Sequence, residues 1–214
     1  MNSAVIVSGG SGTRFGGDVP KQFIKINGQE ILAFSVTTFL SHPQIDEVII
    51  VSHKDWVEHV ISQYPQCHVV VGGKRRQDSC LNGVLAASEQ SINILIHDAA
   101  RPFITPRVIS DCLEALNKCE GSAPIMNTSN SIIQLNNDKV IYVDRSKIRE
   151  VQTPQCFKKK LILDVLSSKL DGTDEIGMIL RKFPNAKLKF VDGDINNKKI
   201  NSKMDLYLFR VLPN

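Results

Sequence analysis

Apolar residues fall in short strand-length runs at 4–7, 48–51, 69–71, 92–96 and 188–191. Stretches with the spacing of amphipathic helices separate them, at 31–41, 54–63, 76–90, 106–118, 158–169, 174–182 and 203–210. The runs are continuous and rich in Val and Ile instead of alternating with polar residues, which predicts strands buried on both faces. Strands of that kind alternating with helices predict an α/β fold: a doubly wound, mostly parallel sheet.

One segment breaks the alternation. Residues 131–135 and 139–143 read as two strands around Asn136, Asn137 and Asp138, residue types that tolerate the positive φ of a hairpin turn. With polar flanks and little helix nearby, this arm, at about 127–150, is expected to project from the main body. A two-stranded arm is marginal alone, so it needs a partner surface. That surface is either a neighbouring subunit in a homodimer or a face of its own domain. At 214 residues and 42% hydrophobic content, the chain suits one domain, 1–214, carrying this arm.

The net charge of +4 is dispersed, and no basic run exceeds three residues, as at Lys74 to Arg76 and at Lys158, Lys159 and Lys160, so nucleic acid is not an expected partner. A small anionic substrate suits the same balance. The N-terminus enters a strand at once, and no apolar run reaches membrane-spanning length. The expectation is a cytoplasmic protein without a membrane partner. Five scattered cysteines without C-x-x-C spacing point to reduced thiols and away from a disulfide framework or zinc.

Candidate chemistry clusters where the strand runs end. After the first come Ser8, Gly9, Gly10, Ser11, Gly12, Thr13 and Arg14, then Gly16, Gly17 and Lys21. A glycine-dense loop leaving a buried strand lets backbone N–H groups converge on a phosphate. Arg14 can fork onto two phosphate oxygens and Lys21 can act as a point charge, which suits a polyphosphate whose charge changes during reaction. No Gly-Lys-Ser/Thr closes the loop, and its glycines do not match G-x-G-x-x-G.

After the run 92–96 comes His97, Asp98, Ala99, Ala100, Arg101 and Pro102. Ligands of open α/β sheets bind outside the carboxyl ends of the strands, which puts Asp98 beside the glycine loop. A carboxylate facing a polyphosphate needs a cation between them, so Asp98 is the candidate Mg²⁺ ligand. After 69–71, Gly72 and Gly73 lead through Arg76 to Ser79, and are expected to offer free N–H groups and a hydroxyl to a base or phosphate. Arg76 reads equally as a structural cation. Taken singly, Thr173 reads as a helix N-cap and Lys199 as a solvated lysine at a strand end.

Together, in order, Gly9 to Arg14, Pro20 to Phe23, Gly72 to Ser79, His97 to Pro102, Val143 to Arg145, Thr153 to Gln155, Thr173 to Glu175, and Lys199 resemble one family over nearly the whole chain. It is the cytidylyltransferases that make CDP-2-C-methyl-D-erythritol or CDP-ribitol. The resemblance implies a Rossmann-like nucleotidyltransferase fold, with residues 8–14 around the CTP triphosphate. Ser8, Gly9, Gly73 and Ser79 would approach cytosine and ribose, and Asp98 would bind magnesium. Arg14, Lys21 and Lys199 would stabilise charge at the α-phosphate. Arg101, Thr173 and Arg145 would bind the acceptor's phosphate, Arg145 reaching over from a partner's arm.

The implied reaction is attack of a polyol phosphate on the α-phosphorus of CTP, with pyrophosphate leaving and no covalent intermediate. Acceptor features are mixed. Asn196 and Asn201 replace a usual aspartate and threonine, and residues 53–59 look like the ribitol-phosphate branch. Asp98 to Pro102 and Ser79 to Gly83 look like the methylerythritol branch, which is the favoured acceptor. The alternatives are ribitol 5-phosphate and a nucleotide-binding relative that has lost catalysis. Joint retention of Arg14, Lys21, Asp98 and Lys199 favours an enzyme.

Overall fold

The computed structural model describes residues 1–10, 19–137, 139–168 and 170–211. β1 (Asn2–Ser8) is followed by a 3-10 turn at Lys21–Phe23, the short hairpin β2 (Lys25–Ile26) and β3 (Gln29–Glu30), and α1 (Ile31–Leu40). Next come β4 (Glu47–Ser52), α2 (Val57–Gln63), β5 (His68–Val71), α3 (Arg76–Ala86), β6 (Asn93–Asp98) and α4 (Pro106–Ala115). The rest comprises β7 (Gly121–Asn127), β8 (Ile132–Asn136), β9 (Lys139–Val143), β10 (Arg149–Val151), β11 (Gln155–Lys158), α5 (Lys159–Leu166), α6 (Glu175–Lys182), β12 (Leu188–Asp192) and α7 (Lys203–Val211).

The main sheet runs β10-β7-β11-β6-β1-β4-β5, with β12 also paired to β7. β1 lies parallel between β4 and β6, so Val5 stands beside both Ile49 and Ile96. Successive side chains on β1 point to opposite faces. Ala4 and Ile6 join Leu32, Val36 and Phe39 of α1 and Val108 and Ile109 of α4 in one apolar cluster. Val5 joins Cys80 and Val84 of α3, Ile162 and Val165 of α5, and Ile179 of α6 in another. Both faces are thus covered, and a one-residue slip of β1 would exchange the two sets, which pins the register. The expected doubly wound, mostly parallel sheet is what the chain forms.

Three strands of the main sheet lie outside the apolar runs. β7, β10 and β11 make antiparallel pairs, β11 lying between β6 and β7. β7 carries Gly121, Ser122, Ala123 and Pro124, and β11 carries Gln155 and Cys156, so neither has a Val/Ile run to announce it. α3 ends at Ala86, short of the expected residue 90, because Ala87 is already extended at ψ 142. Lys159 Nζ donates to the carbonyls of Ala87 and Ser88 there, taking the place of further helical N–H donors.

The arm forms as expected. β8 and β9 make a separate two-stranded sheet in the register Ile133↔Tyr142 and Leu135↔Val140. Asn137 supplies the turn with φ 51.

Candidate active site

β1, β4, β5 and β6 end together. Ser8 pairs in register with Ser52, Ser52 with Val71, and Val7 with Asp98, so parallel pairing alone delivers the chemistry-bearing residues to one edge. A cavity of about 700 Å³ opens there, lined among others by Ser8, Gly9, Lys21, Arg76, Asp98 and Lys199. Gly10, Gly73 and Ser79 also line it. Ser11, Gly12, Thr13 and Arg14 lie outside the described residues.

The floor is held from below. Ser8 Oγ donates to the Val51 carbonyl at 2.9 Å. The Gln22 amide, 3% exposed, donates to the carbonyls of Ser8 at 2.6 Å and Gly10 at 2.9 Å, tying the start of the glycine loop to the turn that bears Lys21. Lys21 Nζ donates to the Ile200 carbonyl at 2.7 Å.

The Gly72–Gly73 turn differs from expectation. Its N–H groups are not free: Gly72 donates to Ser52 O at 2.7 Å and Gly73 to Ser79 Oγ at 3.0 Å. Ser79 Oγ in turn donates to the Arg75 carbonyl at 3.2 Å. Ser79 therefore fixes the turn, and the glycines serve close packing. A Cβ on Gly72 would sit 2.9 Å from Ser79 Oγ, and one on Gly73 would overlap Asp78.

Asp98 is the electrostatic centre. Its Oδ2 accepts from Lys199 Nζ at 2.8 Å, and its Oδ1 accepts from the Arg76 guanidinium at 3.2 and 3.3 Å. Burial would raise this carboxyl, but Arg76, Lys199 and Arg101 outweigh it and hold the group well below the usual carboxylate range. Arg76 also donates to Glu175 Oε1 at 2.5 Å, and Glu175 has no solvent exposure. Burial would lower the Arg76 guanidinium, and the two carboxylates more than reverse this. Lys199 is thus paired, unlike the solvated lysine expected from its position alone.

A neutral chain fixes the backbone beneath. The Asp98 N–H donates to Thr153 Oγ1 at 3.1 Å, which lies 3.0 Å from His97 Nδ1. His97 Nε2 lies 3.0 Å from the Arg101 carbonyl, so the network assigns its proton to Nε2. Burial lowers His97 to about 4, keeping the ring uncharged. Arg101 donates to the Asn197 carbonyl at 2.8 Å, and its Nε is 3.9 Å from Asp98 Oδ2. His97, Thr153, Glu175, Gln22 and Asn197 are therefore supporting residues that spacing did not single out. Their signal was at most membership in an ordered motif.

Two predicted positions stand apart. Thr173 is exposed, and the N-cap of α6 is Asp174, whose carboxylate accepts from Gly177 N at 2.9 Å. Asp174 is the extended residue whose side chain meets that N–H, so the cap lies one position later than expected. Arg145 lies at the base of the arm, donates to the Ser129 carbonyl at 2.6 Å, and lines a second cavity of about 470 Å³ with Thr128 and Arg149.

Asp98 is the one carboxylate among the described residues lining the main cavity, and it is held ionised. A single charged oxygen donor beside a space for phosphates suits Mg²⁺, which takes one or two carboxylates and completes its shell with phosphate oxygens and water. The residues present therefore fit that ion.

A glycine-floored cavity at the carboxyl edge of a doubly wound sheet, with one carboxylate among fixed cations, defines an α/β nucleotide-binding transferase. The 2-C-methyl-D-erythritol 4-phosphate cytidylyltransferase family model matches residues 2–212, and the chain belongs to this family of nucleotidyltransferase enzymes. It is 34% identical to the Clostridium botulinum 2-C-methyl-D-erythritol 4-phosphate cytidylyltransferase, covering 97% of this chain and 95% of that one. It is 32% identical to a Haemophilus influenzae bifunctional ribulose 5-phosphate reductase/CDP-ribitol pyrophosphorylase, over 97% of this chain and 47% of that one. The crystal structure of the Anaerococcus prevotii 4-diphosphocytidyl-2C-methyl-D-erythritol synthase superposes with TM-score 0.86 at 27% identity, covering 98% and 94% of the two chains.

Proposed function

We propose that the enzyme transfers CMP from CTP to 2-C-methyl-D-erythritol 4-phosphate and releases pyrophosphate. The observation that carries this reading is Asp98, held ionised between Lys199 and Arg76 at the edge of a glycine-floored cavity. When bound, Mg²⁺ held by Asp98 would neutralise phosphate charge and orient the leaving pyrophosphate. Ser8 to Gly10 form a floor with no bulky side chain, and Gln22 keeps it in place. Lys21 and Lys199 bring cations to that floor, and the family resemblance assigns Arg14 the same charge-stabilising role. Attack by an acceptor phosphate oxygen on the α-phosphorus needs no protein nucleophile, so these residues act by positioning and by stabilising charge.

The full-length relatives favour methylerythritol phosphate as the acceptor. The Haemophilus relative keeps ribitol 5-phosphate as the second candidate. Arg101 and Thr173 are assigned to the acceptor's phosphate, with Arg145 delivered by the arm of a second copy. Support for a homodimer comes from one face of the arm, where Ile133, Leu135, Val140 and Tyr142 are each at least 55% exposed. Such a face on an isolated hairpin is stabilised by a partner. The described residues contain no helix long and apolar enough to cross a membrane, and the reading places the enzyme in the cytoplasm, where its free cysteines stay reduced.

Pyrophosphate release from CTP and Mg²⁺ tests the proposal, with methylerythritol 4-phosphate, ribitol 5-phosphate and glycerol 3-phosphate offered in turn. Release with the first alone is the expected result. Release with ribitol 5-phosphate alone would replace the acceptor, and silence with all three would overturn catalysis.

A further inference from the structure

The segment from His53 to His59 has no part in the mechanism above, yet it joins the cavity wall to the turn that carries Lys21. His53 lines the cavity. Three residues on, Trp56 lies face to face with Phe23, the ring centroids 4.4 Å apart and the planes 15° from parallel. His59 lies nearly perpendicular to both rings, with centroids 5.4 Å away. His59 is itself anchored, with Nε2 2.8 Å from Glu30 Oε1, and the Tyr64 hydroxyl donates to the other oxygen of Glu30 at 3.2 Å. Phe23 is 4% exposed and ends the three-residue turn that begins at Lys21.

A single 3-10 turn has too few internal hydrogen bonds to hold its own orientation. Gln22 ties the turn to the glycine loop on one side; on the other Phe23 anchors it, and Trp56, half-buried, is the ring that closes over Phe23. We propose that Trp56 is a positioning residue: stacked on Phe23, it sets where the Lys21–Phe23 turn presents the Lys21 ammonium to the nucleotide. The inference rests on the assignment of Lys21 to charge stabilisation in cytidylyl transfer. A lysine is a point charge on a flexible stem, so the place of its Cα decides which phosphate oxygens it reaches.

Trp56 is the single tryptophan of the chain, so its fluorescence reads the turn directly. CTP with Mg²⁺ is expected to change the emission of the unmodified protein. Trp56→Leu removes the stack while keeping apolar bulk, and Trp56→Phe restores a ring. A displacement of about 1 Å can cost about 10²-fold in rate, so Trp56→Leu is expected to lower kcat by about 10-fold or more, with a smaller change in KM for CTP. Trp56→Phe is expected to recover most of the loss. In a Lys21→Ala background, Trp56→Leu is expected to add nothing, because the residue acts through Lys21.

A thermal melt establishes that each variant is folded. Phe23→Leu breaks the stack from its other side and serves where Trp56→Leu does not fold. Unchanged kcat in a folded stack-breaking variant, or a full additional loss on Lys21→Ala, overturns the positioning role while leaving cytidylyl transfer intact. Near-normal turnover of Lys21→Ala itself overturns the underlying assignment of Lys21.

Discussion

Lys199 Nζ and Arg76 hold opposite oxygens of one carboxylate: Lys199 lies 2.8 Å from Asp98 Oδ2, while Arg76 contacts Oδ1. The two cations differ in what lies behind them. Arg76 is pinned by the buried Glu175, whereas Lys199 has Asp98 as its carboxylate partner and is 36% exposed at the side chain. Lys199→Met is therefore expected to leave the fold intact, because Arg76 still pairs Asp98. Turnover is expected to fall by about 10² to 10³, the range for one preorganised charge-stabilising group. Pyrophosphate release at saturating CTP, set beside a thermal melt, measures both.

Gln22 tests the floor without touching a charge. Its amide makes two hydrogen bonds to backbone carbonyls of the glycine loop, each worth about 0.5–1.5 kcal/mol. Gln22→Ala removes both and leaves the Ser8 and Gly10 carbonyls without that donor. CTP affinity, measured by titration calorimetry, is expected to weaken by about 10-fold, with kcat less affected. An unchanged Kd would show that the loop holds its shape without Gln22.

The core of the fold was readable because β1, β4 and β6 are buried on both faces, so burial wrote itself as runs such as Val48 to Val51. β7 and β11 left no such trace, since Gly121 must pass close to Phe157 and Leu188 and Ser122 turns its hydroxyl to the Cys112 carbonyl. The site divides in the same way. Asp98 and the Gly72–Gly73 turn were legible as residues at strand ends. The pairings around them were not: Glu175 meets Arg76 across 99 residues and Lys199 meets Asp98 across 101, and pairing at that separation exists only after the sheet has formed. Local spacing also misassigned the cap of α6 to Thr173, where one residue of difference decides which side chain meets the Gly177 N–H.

His97 gives the protein a pH dependence of known sign. Burial takes it from an ordinary 6.5 to about 4 in the folded state, so between these values the unfolded chain binds a proton that the folded chain does not. Its contribution is fully present above pH 6.5 and is lost as pH falls towards 4, by on the order of 3 kcal/mol in all. Asp98, held low, loses its contribution only below the ordinary carboxylate range, so the two effects separate. Urea unfolding across this window is expected to show stability rising with pH. His97→Gln, which retains an amide for the Thr153 and Arg101 contacts, is expected to flatten that slope.

The arm offers a test of assembly that leaves the main cavity alone. In the register of β8 and β9, Ile133 faces Tyr142 and Leu135 faces Val140, so these four side chains share one side of the hairpin. Leu135 and Tyr142 are each 69% exposed. Water against four large apolar groups disfavours a free arm, and a second copy offers the same surface in return. Leu135→Glu with Val140→Lys would put charges on that side while leaving them opposite each other across the strands, so the hairpin itself is preserved. The expected outcome is a shift from dimer to monomer by light scattering. A rise in KM for the acceptor should accompany it, with binding of CTP retained, because Arg145 sits at the base of the arm, in a different cavity from Asp98. A variant that stays dimeric, or a native chain that is monomeric throughout, removes the arm from assembly and leaves Arg145 without a route to the acceptor.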